Sequence, residues 1–371
     1  MKQKKMNDNR LKYILFLILV FVIGGTSGLN ASEEKSGSEK ELNVKELILE
    51  HLGDSYEWHI TTWGDKHISI PLPVILYSEN SGLNIFLSSE FHHGNSEYNG
   101  FSIASEGKYK GKIIEKTADG EEIRPWDISM TKNAASLLIN SALLIIIILS
   151  VARWYKKNST EEDPKVPKGF VGFMELFIMN INDDIIKPCV GKNYKKFAPY
   201  LLTAFFFIFI NNIMGLIPIF PGGANVTGNI AITLVLALFT MIIINIFGTK
   251  EYWKEIFWPD VPTWLKVPIP IMPAIEFVGI ITKPFALMIR LFANILAGHA
   301  IVLGLVCLIF VTTSLGFAIN SSMTLVSVLL TIFIDCVEIL VAYIQAYVFT
   351  MLSAVFIGLA QIEPHHATEK H

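Results

Sequence analysis

The chain has 371 residues and a formal net charge of −3; 52% of its residues are hydrophobic and only 17% charged. Soluble proteins carry about 25% charge, so a disordered chain, a coiled-coil rod and a disulfide scaffold are excluded, and no basic field argues for nucleic acid. What fits is an integral membrane protein with a soluble part attached.

The N-terminus reads as an export signal. Lys2, Lys4, Lys5, Arg10 and Lys12 precede an apolar run over 13–23, and small and polar residues follow to Ser32. That order is the one of a secretory signal peptide over 1–31, with cleavage near Ala31. The apolar run is short for a spanning helix. An uncleaved anchor is the alternative, and either way the following segment is placed outside.

Residues 32–133 read as a soluble extracytoplasmic domain with 18 acidic and 10 basic residues and no cysteine. A helical pattern occupies 41–52. Alternation of period two then takes over, as at His67-Ile68-Ser69-Ile70 and over Leu83 to Leu87, with turn signals at Trp63-Gly64-Asp65, Asn80-Ser81-Gly82 and Asp119-Gly120. This predicts a small, mostly antiparallel β domain. Its histidines, His92 and His93 among them, lack ligand spacing and are read as surface residues, with no metal site.

Residues 134–363 carry the membrane segments. Apolar spans are predicted over 134–152, 198–217 and 230–247, then over 271–311 and 323–360. The last two would each be about 60 Å long at 1.5 Å per residue, twice the roughly 30 Å hydrocarbon core. They must be tilted, curved or broken, with Gly298, Gly304 and Gly358 as candidate break points, and a steeply tilted hairpin is preferred. Between spans, residues 170–186 alternate apolar runs with Glu175, Asp183 and Asp184, the pattern of an amphipathic helix on the inner surface. The basic residues cluster in 153–196 and 248–270, and none lies in 218–228 or 312–322. The positive-inside rule therefore puts the C-terminal tail, 364–371, in the cytoplasm. The expected fold class is an all-α polytopic membrane protein, five membrane helices plus a surface helix, with a small mainly β N-terminal domain.

Charge inside a membrane carries the chemistry, because an arginine at the bilayer centre costs at least about 2.5–3.5 kcal/mol. The fourth span holds Glu276, Lys283, Arg290 and His299; the fifth holds Asp335 and Glu338, with Gln345 further on; the second holds Asn211 and Asn212. Glu276, Lys283 and Arg290 are spaced by seven and share a face, with Asn294 one turn beyond. His299 points half a turn away. Glu338 and Gln345 share a face of the last helix. An antiparallel pair can set His299 near Glu338 and Arg290 near Gln345. The first is a couple able to relay protons. The second holds a permanent cation whose role must be electrostatic, since its pKa exceeds 12. A fixed salt bridge from Arg290 to Asp335 or Glu338 is the purely structural reading. No internal carboxylate is placed to move past Arg290, so another subunit must supply one.

The stretch Glu276-(x)6-Lys283-Pro284-(x)5-Arg290-Leu291-Phe292-Ala293-Asn294-(x)2-Ala297-Gly298 resembles the signature helix of subunit a of rotary F-type ATP synthases. The run Ile344 to Phe349, the segment Asn212-Ile213-Met214-Gly215-Leu216-Ile217-Pro218 and Asn225-Val226-Thr227 are similar to that family too, in order, over about 130–363. The resemblance implies a stator beside a ring of c subunits, with peripheral-stalk b subunits and the F1 sector as further partners, in a bacterial cytoplasmic membrane. Protons would reach a ring carboxylate by one half-channel and leave by another. Arg290 would separate the two, with Asn294 and Gln345 beside it and His299 and Glu338 lining the outer path. Asn212, Glu276, Lys283 and Asp335 would be supporting polar residues. Many bacterial relatives have the acid and the histidine exchanged at positions 299 and 338, so the couple survives with its members swapped. No phosphate-cradling glycine loop appears, so the chain is expected to be a non-catalytic subunit without cofactor. A proton-coupled secondary transporter using His299 and Glu338 is the alternative; it would show internal repeats, and none is seen. Protons are the default coupling ion over sodium.

Overall fold

The computed structural model describes residues 53–361 apart from 64–65, 95, 106, 117–121, 159–165, 218–219 and 259–270. The export signal, the helical pattern over 41–52, the Asp119-Gly120 turn and the C-terminal tail lie outside the described residues. The chain divides into two compact units. One takes the chain up to residue 139 with Met214–Ala224 and Val302–Phe333. The other takes Asn140–Ile213, Asn225–Ile301 and the chain from Ile334.

Among its described residues the first unit contains eight short strands: β1 (Glu57–Trp63), β2 (Lys66–Pro71), β3 (Pro73–Ser78), β4 (Gly82–Leu87), β5 (Phe101–Ile103), β6 (Ile113–Lys116), β7 (Glu122–Ile123) and β8 (Trp126–Asp127). They form a β1–β2 hairpin and two three-stranded sheets ordered β4-β3-β8 and β5-β6-β7, every pairing antiparallel. The predicted Asn80-Ser81-Gly82 turn closes β3 onto β4, with Gly82 at φ 69°, a conformation that favours glycine. Tyr56, Val74, Leu76, Phe91, Phe101 and Ile113 are buried together as the core. Polar cross-links reinforce it. Tyr56 Oη donates to Asp127 Oδ2 at 2.5 Å, and the hydroxyls of Ser78 and Ser81 both donate to the buried Glu115 carboxylate. Burial and the Asp127 hydrogen bond push the Tyr56 hydroxyl well above its ordinary pKa. Trp58, itself buried, meets Phe220 edge to face with ring centroids 5.0 Å apart.

Among the described residues the longer helices that follow are α1 (Lys132–Asn158), α2 (Phe170–Asn180), α3 (Tyr194–Leu216), α4 (Ile230–Phe247), α5 (Lys250–Phe257), α6 (Ile271–Val311) and α7 (Phe317–Ala360). A π-helical stretch, Ile181–Ile186, and a turn, Lys187–Val190, carry α2 toward α3. Among the described residues five helical segments are long and apolar enough to cross a membrane, so the chain is a polytopic all-α membrane protein with a small β portion. Caps fix the helix starts: Asn229 accepts from Ala231 N at the head of α4, and Thr249 accepts from Tyr252 N at the head of α5. The surface-helix segment shows two faces. Met174, Ile181, Ile185 and Ile186 are buried in the core of the second unit, while Phe170, Phe173, Leu176 and Met179 stay exposed. An aromatic cluster of Phe177, Phe205, Phe209 and Tyr343 ties α2, α3 and α7 together.

The two long helices meet the preferred expectation in one respect, being unbroken, and depart from it in another. Both are continuous, so Gly298, Gly304 and Gly358 are not breaks. Gly298 and Gly358 serve close approach instead. A Cβ at Gly358 would run into the Cys189 carbonyl oxygen, and one at Gly298 into the Glu338 carboxylate. The connection between them is also shorter than the polar composition of 312–322 suggested. A 3-10 turn, Thr312–Leu315, and Gly316 at φ 98° suffice, and α7 starts at Phe317. Thr312 Oγ1 donates to Asn320 Oδ1 at 2.9 Å across that turn, which lets the polar residues after it join the helix.

Candidate functional site

All nine candidate residues lie in the second unit, on α3, α6 and α7. Helix α6 buries Leu287, Met288, Leu291 and Ile295, and α7 buries Ala342, Ala346 and Phe349. Small alanines let helix backbones approach closely in lipid, where packing rather than water exclusion drives association. That seam sets the register of the polar residues beside it.

Two contacts define the register. Asn294 Nδ2 donates to Gln345 Oε1 at 2.9 Å. One turn further along α6, Gly298 lies directly against the Glu338 carboxylate, two turns back on α7. The structure therefore brings Asn294 to Gln345, and Glu338 to the Gly298-His299 step. Gln345 is only 4% exposed and Glu338 is buried, whereas His299 and Asp335 are half-buried.

Arg290 sits near the middle of α6, one turn before Asn294, with an exposed side chain. Among the described residues it joins no ion pair, so the internal salt bridge to Asp335 or Glu338 is not made. Both long helices remain exposed along most of their length, with apolar side chains such as Phe285 and Ile289 outward on the stretch that carries Arg290. A permanent cation in that setting is costly unless it is paired or hydrated.

The supporting residues have separate jobs. Asn212 is buried and bridges two elements: Nδ2 donates to the Ala342 carbonyl oxygen at 3.4 Å, and Oδ1 accepts from Thr227 Oγ1 at 2.6 Å. It steadies the α7 backbone one turn before Gln345. The Lys283 ammonium lies 5.8 Å from the centre of the Phe356 ring, a cation–π contact between α6 and α7. The Glu276 charge acts on Tyr252 of α5, where burial first and this carboxylate second raise the hydroxyl pKa.

Three contributors escaped the sequence reading. Asn140 Nδ2 donates to Asn211 Oδ1 at 3.0 Å between α1 and α3, and an asparagine inside the first apolar span was a legible signal. Thr227 was visible only as part of a motif. Asn225 folds the loop before α4 by accepting from Gly228 N at 2.9 Å, which presents Thr227 to Asn212. Gly298 was read as a candidate break and as the end of the signature stretch, and its contact with Glu338 could not be read because it depends on which helix faces it.

Residues 136–358 match the family described as ATP synthase A chain. Residues 47–133 match a separate family described as a domain of unknown function, DUF8433. The chain is 42% identical over 248 residues to ATP synthase subunit a of Chlorobium phaeobacteroides strain DSM 266, covering 65% of this chain and 68% of that one. It is 39% identical over 256 residues to ATP synthase subunit a of Chloroherpeton thalassium, covering 67% and 72%. Against ATP synthase subunit a of Anaeromyxobacter dehalogenans it is 37% identical over 263 residues, covering 69% and 64%. With a family match over most of its length, the chain belongs to the ATP synthase A chain family.

Proposed function

We propose that this chain is the proton-translocating subunit of the Fo sector, a non-catalytic stator that passes protons to and from a ring of c subunits held against α6 and α7. The observation that carries the reading is Arg290, mid-helix, exposed and without an ion-pair partner among the described residues, one turn from the Asn294–Gln345 hydrogen bond. A protonated ring carboxyl arriving beside this guanidinium gives up its proton to water on one side. The resulting carboxylate is held ionised by the fixed positive charge until rotation carries it on. Because arginine keeps its own proton, it blocks direct leakage between the two half-channels. Asn294 and Gln345, already bonded to each other, orient around the carboxylate without supplying charge. The Glu338 and His299 pair lines the outer path and relays protons to the ring.

In this reading 1–31 directs export, 32–133 stays outside, 134–363 forms the channel and 364–371 ends in the cytoplasm of a bacterial cell, with b subunits and the F1 sector completing the complex. The family match leaves the secondary-transporter reading without support.

The test is Arg290→Ala in the whole complex, reconstituted into vesicles. ATP synthesis driven by a proton gradient is expected to fall at least a hundredfold, a loss of about 2.7 kcal/mol or more, while ATP hydrolysis by the detached F1 sector persists. Synthesis at the normal rate would refute the mechanism.

A further inference from the structure

The β4-β3-β8 sheet is inside out by the usual rule. Strand β4 alternates large aliphatic residues with others, and a half-buried strand turns its aliphatic set inward. Here Leu83, Ile85 and Leu87 face out, Ile85 at 66% exposure, while Phe86 of the same strand packs on the core. On β8 and the residue after it, Trp126 is 73% and Ile128 70% exposed. The registers join these residues into one patch. Leu83 pairs with Tyr77, which pairs with Trp126; Ile85 pairs with Ile75, whose carbonyl accepts from Ile128 N at 3.0 Å; Leu87 pairs with Pro73. The opposite side of β3, at Val74 and Leu76, is completely buried, so the sheet already has its core face. An apolar patch of this extent on a folded domain marks an interaction surface.

We propose that this face docks on the bilayer, so that the β portion lies on the lipid surface. Three observations select lipid. The patch is continuous with the membrane-crossing part of the chain: Ile128 lies four residues before Lys132, where α1 begins, at most about 14 Å away in extended chain. Pairing continues along this connection, with Met130 N donating to the Pro73 carbonyl at 3.0 Å, so the Pro73–Leu87 row is the one nearest the helix. The junction is also held. Lys132 N donates to the Ser55 carbonyl at 2.8 Å and Asn133 N to Asp54 Oδ1 at 3.0 Å, which ties the head of α1 to the start of the domain. Beyond that junction α1 turns exposed aliphatic residues outward from Leu138 on. Finally, the chemistry suits a headgroup boundary: aliphatic residues with a tryptophan and a tyrosine, and Arg124, exposed two residues before Trp126, to meet lipid phosphate.

The test uses the full chain with Cys189, Cys307 and Cys336 replaced by serine and an environment-sensitive fluorophore attached at Ile85→Cys, in nanodiscs of phosphatidylcholine and phosphatidylglycerol alone. A second preparation carries the label at Leu83→Cys, and a third at exposed Lys108→Cys as the aqueous reference. The expected result is blue-shifted emission at 83 and 85, several-fold weaker quenching by aqueous iodide than at 108, and strong quenching by lipids bearing a nitroxide near the headgroup. Iodide quenching at 83 and 85 equal to that at 108 would overturn the proposal. So would shielding that appears only in the assembled complex without nitroxide-lipid quenching, since a protein would then cover the face.

Discussion

Gly298 shows how much of this site depends on what a residue lacks. The Glu338 carboxylate occupies the volume where a Cβ would stand, so Gly298→Ala must either displace Glu338 or part the helices. Overpacking of this kind costs about 1–3 kcal/mol. ATP synthesis in vesicles should fall about tenfold or more while the complex still assembles, and Glu338→Asp in the same chain should restore part of it by drawing the carboxylate back. An unimpaired Gly298→Ala enzyme would show that the contact is not kept during turnover. The neighbouring couple makes a second prediction. If His299 and Glu338 act together, His299→Glu with Glu338→His should retain more activity than either single exchange. A double-mutant cycle on synthesis rate measures this, and strict additivity would separate the two residues. The charged members of this layer were legible in sequence because an ionisable group in an apolar run is costly enough to be informative, and heptad spacing placed Asn294 and Gln345 on facing sides. Gly298 and Thr227 were not, because their roles are contacts with other elements, and spacing along one helix does not encode its neighbour.

At the level of elements, apolar run length located the helices well: α4 occupies 230–247 as expected. The start of α7 did not follow hydropathy. Asn320, Ser321 and Ser322 look like turn chemistry, but the 3-10 turn Thr312–Leu315 and Gly316 at positive φ complete the reversal, and the Thr312–Asn320 hydrogen bond compensates the polar side chains. In the N-terminal sheets, alternation identified strands and turn residues fixed the hairpins. The side that faces the core was not legible, since β4 turns its aliphatic residues out. Tyr56 offers a test of how these sheets are held. Its folded-state pKa is raised by burial and by Asp127 above an unfolded value of about 10. The protonated form is thus the one the fold favours. The resulting stability is full below about pH 10 and declines as pH climbs from there toward the folded value. Tyr56→Phe removes a hydrogen bond to a charged group, worth about 1.5–3 kcal/mol, so it should lower the melting temperature of the β portion at pH 8. It should also flatten the decline between pH 10 and 12. Thermal melts across that range check both effects, and an unchanged alkaline slope would assign it to other tyrosines.

For the molecule as a whole, the question is how far the channel depends on what precedes it. The two family matches abut, one ending at residue 133 and the other starting at 136, just inside α1. The hydrogen bonds that couple the candidate residues, Asn294 to Gln345, Asn212 to Thr227 and Ala342, and Asn140 to Asn211, all lie after that boundary. Nothing in the proposed proton step draws on the β sheets. The driving force is about 2.3 kcal/mol per charge per 100 mV, and in the proposed step it acts at Arg290 and Glu338. Deleting residues 32–131 with 1–31 retained should therefore leave most of the ATP synthesis rate of the reconstituted complex. The cost should appear in stability, because the deletion strips Phe220 of its edge-to-face contact with Trp58 and the head of α1 of its bonds to Ser55 and Asp54. Trp58→Ala in the full chain separates these effects: it should reproduce a lowered melting temperature with synthesis intact. Synthesis and thermal stability measured on the same vesicles decide the matter, and loss of proton-driven synthesis on deletion, with the complex assembled, would mean that the N-terminal domain takes part in conduction.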